Sequence, residues 1–294
     1  MEFITVDLVN KLIKDQFPEW SNLEIKPVEN MGNDNRTFHL GDNLSVRLPS
    51  RECYALQSLK EQTWLPKLKS CLSVKVPEIV AKGCKSADYP YTWSICSWID
   101  GKTANKDRII NLNNFAKDLA EFLISLQKID TEGAPIAGSH NFYRGGDINV
   151  YDEEYRGLVE NIAPKINLDK NVILEIWDLA LSSKWTKYPV WVHGDLAPTN
   201  IIVLDGNLEA VIDFGILGIG DPACDLTMYW TFFEGESRKI FKDVMNLDED
   251  TWNRARGWAI WKCLIDICNH PNDINNVENS KAIAYDLVNE YINM

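Results

Sequence analysis

Residues 193–215 read HGDLAPTNIIVLDGNLEAVIDFG, and this stretch decides the fold. Two apolar runs flank Asp205-Gly206, a dipeptide suited to a two-residue hairpin turn because both central residues of such a turn take positive φ. With Leu204 opposite Asn207, counting back along uniform strands places Asn200 opposite Val211. Asp213 then lies diagonally across from Asn200, on the same face and at the open end of the hairpin. One amide and one carboxylate converge there.

Such a pair of hard oxygen donors suits Mg²⁺, which keeps several waters and takes one or two protein ligands alongside phosphate oxygens. Asp195, five residues before Asn200, sits where a loop carboxylate would accept or orient the proton of an attacking hydroxyl. HGD, the asparagine and the DFG of residues 213–215, in that order, form the arrangement of a kinase catalytic loop followed by its magnesium-binding aspartate. Ordinary loop chemistry would account for DFG alone, but not for the ordered set.

HGDLAPTN, IDFG and GDPACDL (residues 220–226) together resemble the aminoglycoside phosphotransferase family, within the wider protein-kinase-like superfamily of small-molecule kinases, over nearly the whole chain. The resemblance implies that Asp195 is the catalytic aspartate, that Asn200 and Asp213 hold magnesium, and that Asp221 and Asp225 support the catalytic loop. It implies an α+β, two-lobed protein-kinase-like fold. A small antiparallel-sheet N-lobe, residues 1–99, would bind the nucleotide, and a larger, mainly helical C-lobe, residues 100–294, would carry catalysis and the acceptor.

Weaker matches fill the N-lobe. MGNDN, residues 31–35, falls between two strands, where Gly32 permits close backbone approach and the amides of Asn33 and Asn35 could face phosphate oxygens. The family's basic residue on the third strand corresponds to Arg47 of LSVRLP. Its helix partner is Glu61, with Glu52 as the competing candidate. Arginine departs from the lysine of protein kinases, yet a guanidinium can hold phosphate and carboxylate together. Residues 94–99 resemble the hinge between lobes, where backbone groups of Ser97 and Ile99 would meet the nucleotide base, although a buried strand would look alike.

Periodicity organises the rest. Residues 5–17 carry apolar side chains at helical spacing, and short β-prone segments at 24–28, 36–40 and 44–48 read as an antiparallel meander. A helix is expected over about 51–64, ended by Pro66. Strands near 78–82 and 92–98 lead to the Asp100-Gly101 turn. Beyond it helical periodicity dominates, beginning with Leu112, Phe115, Leu119, Phe122 and Leu123 on one face. HNFYRG, residues 140–145, reads either as a substrate-side element or as a structural plug.

Composition narrows the function. The chain has 294 residues and a net charge of -13, so binding to nucleic-acid phosphates, which needs a basic face, is not expected. Seven cysteines at no metal or redox spacing read as buried small hydrophobes in a reducing compartment. The eleven tryptophans read as core rather than cofactor boxes. No signal segment or long apolar run appears, so a cytoplasmic location away from membranes is expected.

The expectation is therefore transfer of the γ-phosphoryl group of ATP or GTP, with Mg²⁺, to a hydroxyl of a small molecule, an aminoglycoside or similar antibiotic. A metabolite kinase acting on choline, homoserine or a sugar would share the same residues. A pseudokinase is disfavoured because Asp195, Asn200 and Asp213 are all present. A protein kinase is disfavoured because only seven residues separate Asp213 from Asp221 and no APE follows. A cationic acceptor is the further expectation, held by acids such as Glu234, Glu236 and Asp266.

Overall fold

Thr5 starts the first helix, its hydroxyl accepting the Leu8 amide at 3.3 Å, and α1 (Val6–Gln16) turns Val9, Leu12 and Ile13 inward. These residues share a core with Phe38, Leu40, Val46, Leu48, Trp93 and Ile95. The computed structural model describes residues 4–28 and 34–294. The chain divides into two compact units, Met1–Ala104 with Thr199–Ile216, and Asn105–Pro198 with Leu217–Met294.

In the first unit, β1 (Ile25–Pro27), β2 (Asn35–Leu40) and β3 (Leu44–Pro49) form the expected meander. After α2 (Glu52–Lys69), the strands β4 (Ile79–Gly83) and β5 (Trp93–Ser97) extend the antiparallel sheet in the order β1-β2-β3-β5-β4. The helix does not stop before Pro66 but runs through it to Lys69. Proline removes one backbone donor. Tertiary anchoring outweighs that loss, because Leu65 and Leu68 are buried and the Gln62 amide donates to the Trp93 carbonyl at 2.9 Å.

A second small sheet in this unit joins β6 (Lys102–Thr103) to the hairpin read first from the sequence, whose strands are Ile201–Leu204 and Asn207–Val211. The expected boundary after residue 99 put that hairpin with the helical part. Its contacts group it with the first unit, since Ile202 and Val203 pair with Thr103 and Lys102, and Lys75 bridges to Ala210.

The second unit is mainly helical. It holds α3 (Leu112–Gln127), capped by the Asn111 side chain, then α4 (Asp152–Ile162) and α5 (Lys170–Leu181). A short strand β7 (Val190–Val192) leads into HGD. The chain then passes through β8 (Ile201–Leu204) and β9 (Asn207–Val211) of the first unit and returns along β10 (Gly218–Gly220), antiparallel to β7. Helices α6 (Met228–Thr231), α7 (Gly235–Met245), α8 (Glu249–Asn269) and α9 (Ile274–Ile292) complete the unit.

Helix α8 packs against α5 and α9 and is buried at every position from Thr251 to Trp261. A helix apolar on only one face could not tolerate this. Its two buried arginines are partnered, Arg254 by Asp221 and Arg256 by Asn253 and Glu290.

The tryptophans largely follow the core reading, with Trp93, Trp177, Trp191, Trp230, Trp252, Trp258 and Trp261 buried. The cysteines do not. All are free thiols, but Cys53, Cys71, Cys84 and Cys268 are exposed and only Cys96, Cys224 and Cys263 are buried. Among the described residues no helix is long and apolar enough to cross a membrane.

Candidate active site

Strand β3 places Arg47 across from Thr37 on one side and Ser94 on the other. Its guanidinium reaches the Glu61 carboxylate of α2 at 3.0 Å and Oδ1 of Asp213 at 3.3 Å. Glu61 also accepts the Phe214 amide at 3.0 Å. Of the two glutamates weighed as partner, Glu52 is exposed at the first turn of α2, whereas the Glu61 side chain is 4% exposed. Burial alone would depress the Arg47 guanidinium, but Glu61 and Asp213 more than offset it and hold Arg47 above its ordinary value. Burial pushes the Glu61 carboxyl up, with Arg47 opposing. The pair works as a unit, each partner making the other's burial tolerable.

The hairpin carries Asn200 and Asp213 to its open end, one residue out of the counted register. Asp205 and Gly206 take φ of 48° and 79°, as the turn requires. Ile202 pairs with Ala210 but Val203 pairs with Leu208, so Glu209 is an extra residue in β9. Ile201 therefore opposes Val211, and the Ile212 amide donates to the Asn200 carbonyl at 2.9 Å. A bulge of this kind leaves no mark on an alternating pattern. Asp213 itself sits in the left-handed region at φ 66°, a conformation aspartate tolerates better than most residues. Gly215 follows, where an added Cβ would lie 2.8 Å from Oε1 of Gln57.

In the second unit, Gly194 turns the chain at φ 87°, and the amides of His193 and Gly194 both donate to the Asp225 carboxylate at 2.7 and 2.8 Å. Asp225 is 1% exposed. Burial raises its proton affinity, while His193 and the two amides oppose that. Nδ1 of His193 accepts the Asp195 amide at 3.2 Å. The Asp195 side chain remains 50% exposed, with Lys262 Nζ of α8 at 3.7 Å. Asp221 lies one step further out. It receives Nε of Arg254 at 2.6 Å, and burial raises its proton affinity against that arginine.

Gly32 and Asn33 lie outside the described residues. Asn35 is the first residue of β2, opposite Pro49. The Ser97 amide already donates to the Glu78 carbonyl at 3.0 Å and the Trp98 amide to the Asn43 carbonyl at 2.8 Å, so neither is a donor for a ligand. Ile99 is half-buried between β5 and β6. Glu234 pairs with Lys106, Glu236 sits in the first turn of α7, and Asp266 binds Ser280 and His270.

HNFYRG resolves toward bracing. Arg144 stacks on Tyr151, Trp258 and Trp261, and the Gly145 carbonyl accepts the Asp221 amide at 2.8 Å.

Residues 24–258 match the profile of the phosphotransferase enzyme family. The chain belongs to that family. No curated protein matches it in sequence. Solved structures do match in fold. The GDP complex of wild-type aminoglycoside 2'-phosphotransferase-IIIa has 18% identity and a TM-score of 0.72, over 96% of this chain and 98% of that one. The GDP and kanamycin complex of APH(2")-IIIa has 19% identity and a TM-score of 0.69, over 96% and 97%. Macrolide 2'-phosphotransferase of Brachybacterium faecium, an apoenzyme, has 18% identity and a TM-score of 0.63, over 95% and 98%. The α+β kinase-like fold of aminoglycoside and macrolide phosphotransferases is thus the fold of this chain.

Two members of the charged framework were not legible beforehand. Arg254 and Lys262 stand in the run RARGWAIWK, which reads as an ordinary mixed helix. A charge inside an otherwise apolar helix was the available signal, since such a charge needs a partner.

Proposed function

We propose that this phosphotransferase is a magnesium-dependent small-molecule kinase that moves the γ-phosphoryl group of ATP or GTP onto a hydroxyl of an aminoglycoside or similar antibiotic. The observation that carries the proposal is the contact chain Glu61, Arg47, Asp213, in which one half-buried cation joins α2 to the DFG aspartate. The half-exposed Asp195 carboxylate stands on its own braced loop. Arg47 retains N–H groups for phosphate oxygens, and the backbone at Gly32, Asn33 and Asn35, with Ile99 and the Ser97 carbonyl, is assigned to the nucleotide.

Asn200 and Asp213 would hold Mg²⁺. An amide oxygen and a carboxylate whose side chain is 38% exposed fit an ion that completes its octahedron with water and phosphate. Among the described residues no group of three or more His, Cys, Asp or Glu forms an alternative cage. The bound ion supplies neutralisation of phosphate charge.

In the transfer, the acceptor oxygen attacks the γ-phosphorus and the bond to the β,γ-bridging oxygen breaks. The nucleoside diphosphate leaves with that electron pair, and Asp195 takes the acceptor's proton. No phosphoenzyme is needed. Solved structures of similar fold with GDP, ATP, streptomycin and kanamycin support the choice of co-substrates, and the net charge of -13 favours a cationic acceptor.

The test is diphosphate release from ATP and GTP with Mg²⁺ against aminoglycosides, macrolides, choline and amino-alcohols. Turnover with an aminoglycoside, and an acceptor KM that rises with salt at saturating nucleotide, is the expected result. Turnover confined to choline or an amino-alcohol replaces the acceptor class, and no turnover with any acceptor overturns the kinase reading.

A further inference from the structure

Helix α8 lends Lys262 to the catalytic loop. Its Nζ lies 3.4 Å from the Leu196 carbonyl and 3.7 Å from Oδ1 of Asp195. One ammonium therefore touches two consecutive residues, the backbone of one and the carboxylate of the other. That grip restrains both the path of the loop and the rotation of the Asp195 side chain.

The base of the lever is fixed. Trp258, Trp261 and Cys263 on either side are buried, and the Trp261 indole donates to Glu154 of α4 at 2.6 Å. The tip is not sealed, because the Lys262 side chain is 34% exposed. An ammonium carries three N–H donors. The Leu196 carbonyl takes one donor, and Asp195 at 3.7 Å is a charge contact beyond hydrogen-bond distance, so donors are left for an anionic oxygen of a ligand.

The charges around Asp195 show why a cation is needed. On its own loop stands His193, whose Nδ1 accepts the Asp195 amide. From the 222–225 turn comes Asp225, a like charge that acts on Asp195 and is pinned by two amides. From α8 comes Lys262. Without it, Asp195 loses this ion pair while the like charge of Asp225 remains.

We propose that Lys262 is a positioning residue for phosphoryl transfer, holding Asp195 and the following carbonyl in place and offering a remaining N–H to the anionic reaction centre. This rests on the kinase reading above. A lysine suits the task because its compact point charge can serve three partners at once, where a guanidinium fork would commit to one plane.

The experiment compares wild type with Lys262→Ala and Lys262→Arg by steady-state kinetics, and by hydrogen exchange of the Asp195 amide. In Lys262→Ala, kcat is expected to fall about 10- to 100-fold with nucleotide KM within about twofold, and the Asp195 amide to exchange roughly tenfold faster. Lys262→Arg should keep a good part of kcat. Added methylammonium or ethylammonium should restore activity to Lys262→Ala severalfold, which a purely structural lysine would not allow.

An active wild type with an unchanged Lys262→Ala kcat, or a loss that neither arginine nor amines repair, overturns the proposal. A wild type without turnover on any acceptor indicts the kinase reading instead. In that case faster Asp195 amide exchange in Lys262→Ala still supports the tether, and unchanged exchange removes it.

Discussion

The two units hold the carboxylates proposed for metal binding and proton transfer by opposite means. In the first, Asp213 is itself a member of the charge cluster that organises its surroundings, touching Arg47, which in turn binds Glu61. In the second, bracing and chemistry are divided. Asp225, buried, accepts two amides and fixes the loop, while Asp195 stands half exposed one residue further on. Where one residue both braces and acts, no substitution separates the two roles. Where they are separate residues, activity and stability can be lost independently.

The largest expected effect tests that division at its functional end. Asp195→Asn should lower kcat by about 10³- to 10⁴-fold while leaving the thermal midpoint unchanged. A midpoint drop comparable with that of a bracing variant would merge the two roles. Asp213→Ala should abolish Mg²⁺-dependent turnover as well, but with a measurable change in midpoint, because Arg47 loses a partner.

Next comes the buried bracing pair. Arg254→Met leaves Asp221 buried and uncompensated, since both side chains are under 10% exposed, and should cost about 3–5 kcal/mol in denaturant unfolding. Residual kcat per folded molecule should stay near normal. A stable but inactive variant would place Arg254 in the chemistry.

Arg47 sharpens the other side. Arg47→Ala is expected to reduce kcat/KM for nucleotide roughly 10- to 100-fold and also to destabilise, whereas Arg47→Lys keeps part of both because a point charge retains some phosphate and carboxylate contact. Unchanged nucleotide KM and kcat in both variants would remove Arg47 from the phosphate site.

The smallest effect lies at the edge of the Arg254–Asp221 pair, reached through the Thr251 hydroxyl. Asp248 caps α8, accepting the Thr251 amide at 2.9 Å and pairing with Lys187 at 2.7 Å. Although burial pushes the other way, Lys187 and Thr251 hold its carboxyl well below the ordinary range. A depressed folded value means stability that is present above the ordinary carboxylate pKa and is lost progressively as pH falls from there to the lower folded value. Asp248→Ala should cost about 1 kcal/mol at neutral pH. The gap to wild type should close as the solution is acidified below about pH 4. A gap constant with pH would rule out the ionised cap.

Much of this was legible because it depends on short-range order. The HGD, asparagine and DFG spacing located the hairpin, its turn and the kinase-like fold, and the third-strand arginine pointed to Glu61. What stayed hidden depends on long-range placement. Helix α2 passes Pro66 because Trp93 and the core hold it from outside, and local breaker rules carry no such information. Lys262 meets Asp195 across 67 residues of sequence. Four exposed cysteines defeated a compositional rule that describes averages.

The extra residue at Glu209 also governs how this gene can change length. The tip of the hairpin, Asp205-Gly206, is the sort of place where insertions are ordinarily absorbed, because added residues bulge outward and leave the strands paired as before. Three residues later the change absorbed is the opposite one. Lys75 is bonded to the Glu209 carbonyl and the Val211 amide on the far edge of β9, so the bulge is stapled and cannot slide. Losing the Glu209 codon would remove the bulge and leave Ile202 paired with Ala210 and Ile201 with Val211, so Asp213 keeps its face while the Lys75 amide loses its carbonyl partner. The same hairpin therefore absorbs added length at its tip and lost length at its bulge, within a few residues of each other.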